Sequence, residues 1–335
     1  MQPTKASDKR VVNGKGDINQ LMPLRYEWAW DYFLNGNKNH WLPTEIPMGQ
    51  DIADYRTLTP AEKHVYENVL AYLTTADILA MRNIGLAIME KVTAPELQMY
   101  MARQVMDEAI HTMSYQHCIE NLGLDQGEIY NRYRVVPEIH RKIELSNRRL
   151  SAVLHSDLDL TGKHALNTFA MSYLFFAAVF EGTWFFNGFS PVFSLQRRGL
   201  MKATGEMFQY ILRDETMHAS FGLRVIKTLM EEEGLVLNPA EVDEMWKECH
   251  EAEEDYIRYV LRTPILGYSV DMHMGQFRYV ANRRMHQLGL PDQYPGAVDC
   301  IPWLDEQVGG TKKEKNFFET RVTEYQTGGA VNWED

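Results

Sequence analysis

Apolar residues along this chain recur at three- and four-residue spacings over long stretches, separated by short polar clusters, and the alternation expected of strands is scarce. The segment Thr59-Pro60-Ala61-Glu62 predicts a helix start, with Thr59 as N-cap, Pro60 in the first turn and Glu62 closing a capping box. That helix should run to about Lys91. A second opens at Thr93-Ala94-Pro95-Glu96 and ends near Leu122-Gly123. A third begins near Thr161 and reaches Glu181, where Gly182, Gly188 and Pro191 should loosen it. Others are expected from about Arg198 to Glu233, from Asn238-Pro239 onward, and from Val270 to Leu288. The reading is an all-α bundle over residues 21–305, preceded by a loosely ordered polar segment (1–20) and followed by a charged, glycine-containing tail (306–335).

Composition narrows the function. The 335 residues carry 34 Lys and Arg against 46 Asp and Glu, a net charge of -12. That excludes a phosphate-backbone binder, which needs a basic face. Only Cys118, Cys249 and Cys300 occur, far apart, so neither a disulfide framework nor a CxxC metal site follows; a reducing, cytoplasmic setting is expected. Residues 1–20 lack the apolar core of a signal peptide. The most apolar stretch, Ala165 to Phe180, is short for a membrane span and meets Glu181 at its end, which favours a buried helix over a membrane one.

Two Glu-x-x-His motifs carry the chemistry: Glu108 with His111, and Glu215 with His218. Residues three apart share a helix face, so each pair can grip one ion. Spacing alone is weak, because such pairs arise by chance. Context strengthens it, since both motifs fall on apolar stripes where an ionised group needs a partner. Met101, Val105, Glu108, His111, Tyr115 and Cys118 share one face; Phe208, Ile211, Glu215, His218 and Gly222 share another. Asp77 and Glu181 lie on the apolar faces of the preceding helices, giving carboxylate helix, turn and Glu-x-x-His helix twice over. Four-helix bundles that hold two metal ions use this layout. Four carboxylates and two neutral imidazoles balance two divalent ions and suit iron or manganese better than tetrahedral zinc. The bland alternative, surface acids and core histidines in ordinary ion pairs, explains one motif more easily than two.

Five blocks then point to a family. Residues 41–51 (WLPTEIPMGQD), 58–64 (LTPAEKH), 107–115 (DEAIHTMSY), 212–218 (LRDETMH) and 316–325 (NFFETRVTEY) resemble, in order, the small, radical-generating subunit of class I ribonucleotide reductases. The resemblance implies a ferritin-like bundle with a buried binuclear site. It implies Asp77, Glu108 and His111 as ligands of one metal, and Glu181, Glu215 and His218 as ligands of the other. Tyr115 matches the radical tyrosine, and Phe185, Phe189 and Ile211 match the apolar pocket around it. Asp214 matches the carboxylate that links His111 to Trp41. In the tail, Glu319 and Tyr325 match a mobile acid and a redox tyrosine, and residues 329–335 match the segment that docks into the large subunit.

The activity so implied is ribonucleoside-diphosphate reductase, dependent on thioredoxin or glutaredoxin as a holoenzyme. The metals oxidise Tyr115, an extra electron enters through Trp41, and the oxidising equivalent later leaves through Trp41 and Tyr325 to a cysteine of the large subunit. A homodimer is implied as well, with no nucleic-acid or membrane partner. Asp77 and Tyr115 depart from the manganese/iron subclass, which has Glu and Phe there, and the four retained acids depart from the metal-free one. A diferric, oxo-bridged pair is the leading cofactor; dimanganese and manganese/iron pairs stay open. Two rivals share the ligands. A stand-alone di-metal oxidase would have no use for the tail, and a ferritin-like storage chain is usually much shorter.

Overall fold

The computed structural model describes residues 4–16, 19–154 and 157–307. Among them every extended run is irregular, and the regular elements are all helical. Two short helices, α1 (Glu27–Lys38) and α2 (Gly49–Thr57), lead into α3 (Pro60–Asn83). The Thr59 side chain accepts from Glu62 N and the Glu62 carboxylate accepts from Thr59 N, so the capping box forms as expected. Helix α3 widens into a π turn (Ile84–Ile88) and closes with α4 (Met89–Lys91). Helix α5 (Pro95–Asn121) packs along α3.

Helices α6 (Gln126–Val135) and α7 (Pro137–Ser151) follow, in a region where the sequence reading names no helix. Helix α8 (Lys163–Leu174) opens the second half. Where loosening was expected at Gly182, the chain stays helical by widening into an eleven-residue π segment (Phe175–Phe185), then runs on as α9 (Phe186–Gly188). The wider winding frees carbonyls that find other donors: Thr183 Oγ1 bonds Ala178 O at 2.7 Å, and the buried Arg284 bonds Gly182 O at 2.7 Å. A Cβ on Gly182 would stand 2.5 Å from Ala177 O, so this winding admits only glycine there. The apolar window of Lys163–Arg197 is long enough to span a bilayer, but 94% of it is buried inside the fold, where it forms the centre of the core.

After α10 (Ser190–Arg197), helix α11 (Lys202–Glu233) starts four residues later than the expected Arg198. Met201 takes a left-handed conformation, and the cap comes from α2. The fully buried Asp51 accepts from Ala203 N at 2.9 Å and Thr204 N at 2.8 Å, and Asp54 accepts from Met201 N at 3.0 Å. A carboxylate on these orphan amides also meets the positive end of the helix dipole. Helices α12 (Pro239–Val260), α13 (Val270–Gln287) and α14 (Trp303–Gln307) complete the bundle.

At Gly222, where α11 crosses the π segment, a Cβ would fall 2.6 Å from the Ala177 Cβ; glycine there lets the two backbones approach closely. The N-terminal stretch differs from its expected looseness. Val11 and Val12 are fully buried, and Lys9 donates to Leu21 O at 2.6 Å and Pro23 O at 2.8 Å. Two adjacent valines supplied the anchor that the polar average concealed. Glu319, Tyr325 and residues 329–335, expected to dock into the large subunit, lie outside the described residues.

Candidate metal centre

Four helical segments bring six side chains to one point in the core. Asp77 comes from α3, Glu108 and His111 from α5, Glu181 from the π segment, and Glu215 and His218 from α11. All six are at most 1% exposed. Their ligand atoms fall into two overlapping groups within 4.8 Å: Asp77, Glu108 and His111, and Glu108, Glu181, Glu215 and His218. Glu108 and Glu215 stand between the imidazoles. Glu108 Oε1 is 3.2 Å from His218 Nδ1 and its Oε2 3.5 Å from His111 Nδ1, while Glu215 Oε1 is 3.1 Å from His111 Nδ1 and its Oε2 3.6 Å from His218 Nδ1.

These contacts are close but not aligned as hydrogen bonds. Both oxygens of Asp77, Glu108 and Glu215, Glu181 Oε2, and Nδ1 of both histidines have no hydrogen-bond partner among the described residues. Buried polar atoms are almost always satisfied, so this many converging lone pairs fit a pair of cations. Electrostatics agrees. Burial, reinforced by Glu108, pushes the Asp77 carboxyl well above the usual range, and burial pushes Glu181 the same way. Burial would lower both imidazoles, but Asp214, Glu108 and Glu215 hold His111, and Tyr100 with Asp107, Glu108 and Glu215 holds His218, well above the ordinary value. Glu108 shifts the other way, since burial would raise it but the two imidazoles hold it below the usual range; the cluster as a whole favours added positive charge.

The far nitrogen of each imidazole is fixed by a carboxylate. His111 Nε2 lies 3.3 Å from Asp214 Oδ2, which also accepts from Trp41 Nε1 at 3.1 Å. His218 Nε2 lies 3.2 Å from Asp107 Oδ2, and Asp107 is paired with Arg103 at 2.5 Å. Protonation at Nε2 leaves the Nδ1 lone pair aimed into the cluster. Asp107 enters the sequence reading only as the first residue of a matching block, with no role given to it. Its signal was available, because it precedes Glu108 as Asp214 precedes Glu215, so the repeat is Asp-Glu-x-x-His on both helices. Gln104, which donates to Glu181 Oε1 at 2.6 Å, was also missed.

Trp41 is nearly buried and stacks on Tyr210 at 5.2 Å and on His111 at 6.4 Å between ring centroids. Tyr115 is fully buried, one turn beyond His111. Burial pushes its phenol well above the usual range, and the Asp77 and Glu215 carboxylates push it the same way. Phe185, Phe189 and Ile211 are all fully buried. The ring in edge contact with Tyr115 is Phe208, at 5.8 Å, and Phe189 meets Phe208 at 5.3 Å. Phe208 was legible only as a member of the apolar face of α11.

The family model for the ribonucleotide reductase small chain matches residues 18–300. The chain belongs to that family. The small chain is 37% identical to the ribonucleoside-diphosphate reductase subunit beta of Chlamydia pneumoniae, over 99% of this chain and 97% of that protein. Its fold resembles the R2 subunit from Clostridium botulinum with a TM-score of 0.81 at 24% identity, covering 89% of this chain and 94% of the other. It also resembles the dimanganese(II)-NrdF of Streptococcus sanguinis, with a TM-score of 0.68 at 20% identity over 87% and 97% of the two chains. The chain is thus a ribonucleoside-diphosphate reductase small subunit, a helical bundle with a buried carboxylate and histidine cluster fit for two metals.

Proposed function

We propose that the small chain holds one metal ion on Asp77, Glu108 and His111 and a second on Glu181, Glu215 and His218, with Glu108 and Glu215 reaching both, and that Tyr115 stores the oxidising equivalent made there. Bound in that cluster, a pair of iron or manganese ions supplies the oxidising power drawn from oxygen. Iron leads because Asp77 and Tyr115 follow the diferric, tyrosyl-radical pattern of the resemblance. Manganese stays open, because these ligands suit both metals and one neighbour by fold is a dimanganese protein.

The chain's own part is to prepare the phenol. Tyr115 gives up an electron and a proton together, since burial keeps its phenol protonated, and Asp77, whose charge reaches the phenol, would take the proton once a bound metal holds it as a carboxylate. The dry wall of Phe208, Phe189, Phe185 and Ile211 keeps small reductants from the resulting radical. Asp214 ties His111 to Trp41, forming a bonded route from the cluster to an indole. Glu319 and Tyr325 extend that route through the tail to the large subunit, where ribonucleotide reduction takes place, and residues 329–335 dock it. A homodimer is supported by exposed apolar side chains on α3, its π turn and α5, where Ile78, Leu86, Met106 and Met113 are between 38% and 51% exposed. Three unpaired cysteines support a reducing, cytoplasmic setting.

The observation that carries this reading is the set of nine unpartnered ligand atoms beside a buried phenol. Electron paramagnetic resonance after anaerobic iron(II) loading and oxygen exposure tests it. A tyrosyl signal is expected in the parent chain and none in Tyr115→Phe. Metals bound and oxygen consumed without an organic radical, with iron and with manganese alike, would turn the reading to a stand-alone oxidase.

A further inference from the structure

The core holds a second charged cluster that the chemistry above does not use. Lys142 of α7 is fully buried, and its ammonium donates to Glu253 Oε2 of α12 at 2.5 Å. Glu253 Oε1 lies 2.6 Å from His273 Nε2, and His273 Nδ1 lies 2.7 Å from the Tyr268 hydroxyl. The same ammonium stands over three oxidisable rings, 3.8 Å from the centroid of Tyr72, 4.4 Å from Tyr256 and 4.6 Å from Trp184. Glu253 alone would satisfy a buried lysine; a cage of three electron-rich faces is a further feature.

Those rings connect to Tyr115 through packed aromatics. Tyr115 meets Phe208 at 5.8 Å, Phe208 meets Phe189 at 5.3 Å, Phe189 meets Phe185 at 6.4 Å, and Phe185 meets Tyr72 at 6.5 Å. Tyr72 then meets Tyr256 at 5.2 Å. Trp184 lies in the π segment three residues after Glu181. An oxidising equivalent on Tyr115 therefore has an inward route to rings of comparable oxidisability, as well as the outward one through Trp41.

We propose that Lys142 is a positioning residue for the radical chemistry: its fixed positive charge over Tyr72, Trp184 and Tyr256 keeps the oxidising equivalent on Tyr115. This rests on the reading of Tyr115 as the radical site. In the leak that it opposes, the Tyr115 phenoxyl gains one electron from Trp184 or Tyr72 and one proton from a neighbouring acid, and becomes a phenol again. The donor ring loses that electron and must also shed its own proton to settle as a neutral radical.

Both halves of the donor's change are obstructed. A ring radical cation would form face to face with an ammonium in a medium that screens poorly. Glu253 offsets part of this charge, but the ammonium itself stands within 4.6 Å of all three ring centroids, and that contact is what a ring radical cation would have to oppose. The proton has no base to receive it. The Tyr72 hydroxyl and the Trp184 indole N–H have no hydrogen-bond partner among the described residues, and the Tyr256 hydroxyl donates to a backbone carbonyl, Asn68 O, at 3.4 Å. The outward route is built the opposite way, since the Trp41 N–H donates to the Asp214 carboxylate.

The test compares the parent with K142M/E253Q, which removes both charges so that neither is left buried alone, and with the same variant carrying Y72F, W184F and Y256F. Near-ultraviolet circular dichroism and metal content establish that each is folded and loaded. In K142M/E253Q the Tyr115 signal should decay roughly ten-fold faster or more. A tryptophan or second tyrosine signal should grow, and peptide mass spectrometry should find oxidation at Trp184 or Tyr72. Adding Y72F, W184F and Y256F should restore the lifetime, which a purely structural role would not. Should the double variant fail to fold, K142Q, which keeps a hydrogen bond to Glu253 without the charge, carries the same expectations. An unchanged lifetime and signal would overturn the proposal, and so would a shortened lifetime that removal of the rings does not restore. A parent chain with no tyrosyl radical under either metal sinks the reading of Tyr115 first, and this proposal with it.

Discussion

Two ionic clusters lie buried in this one helical core, and they are built on opposite plans. The first gathers four carboxylates and two imidazoles whose inward atoms lack hydrogen-bond partners. The second, Lys142 with Glu253 and His273, neutralises itself within 2.6 Å contacts. Burial is equally complete in both, so desolvation is not what separates them. The difference is the source of compensation: the first cluster needs cations from outside the chain, whereas the second needs none. An acid-rich centre thus has to draw protons or metal ions to balance its charge, and a self-paired one supports the fold whether or not metal is present.

The largest expected effect breaks the first cluster. Glu215→Ala or Glu108→Ala removes a ligand that reaches both imidazoles, so bound iron or manganese should fall from two ions per chain to one or fewer, and reductase activity with the large subunit should vanish. Elemental analysis and a reconstituted assay check it; two ions retained with full activity would contradict the proposed ligand set.

Stability of the metal-free chain sharpens the comparison. Lys142→Met alone leaves Glu253 buried without its cation and should cost about 3–5 kcal/mol in denaturant unfolding, whereas Asp77→Asn, which removes one of several mutually repelling acids, should cost nothing or stabilise by about 1 kcal/mol. Acid titration separates them further. Burial pushes the Glu253 carboxyl up, but Lys142 and His273 hold it below the usual range. A depressed folded value means that its contribution is complete above the ordinary glutamate range and is lost as pH falls through the lowered value. Glu253→Gln should flatten that acid limb, and an unchanged limb would remove the pair from the account.

The smallest effect probes dryness on both sides. Burial pushes the Cys118 thiol up to about 12 and raises that of Cys249 as well. Cys118 lies one turn from Tyr115 and Cys249 one turn from Glu253, while Cys300 is partly exposed. Mild alkylation of the native chain at pH 8 should label Cys300 alone, and all three thiols should react after denaturation. Rapid labelling of Cys118 would show that water reaches the Tyr115 side of the core.

Much of the site was legible before the fold was known, because its marks are local. The capping box at Thr59 and the two Glu-x-x-His pairs depend on contacts within one helical turn. The π segment was not legible, since an i to i+5 winding is chosen by distant donors such as Arg284, 102 residues from Gly182. Asp107 could have been found from the doubled Asp-Glu-x-x-His pattern, but its pairing with His218 is 111 residues long.

The order of residues alone determined the helical class, the doubled Glu-x-x-His motif and the net acidic charge, since periodicity, short spacing and charge are properties of the chain itself. Tertiary structure alone decided that Asp51 would cap α11, that Phe208 would be the ring against Tyr115, and that Lys142 would sit in an aromatic cage. Each of these joins residues on different helices, and their meeting depends on the angle and depth at which helices pack. Hydrophobic periodicity says which face of a helix is buried; it carries no information about which other face it will meet.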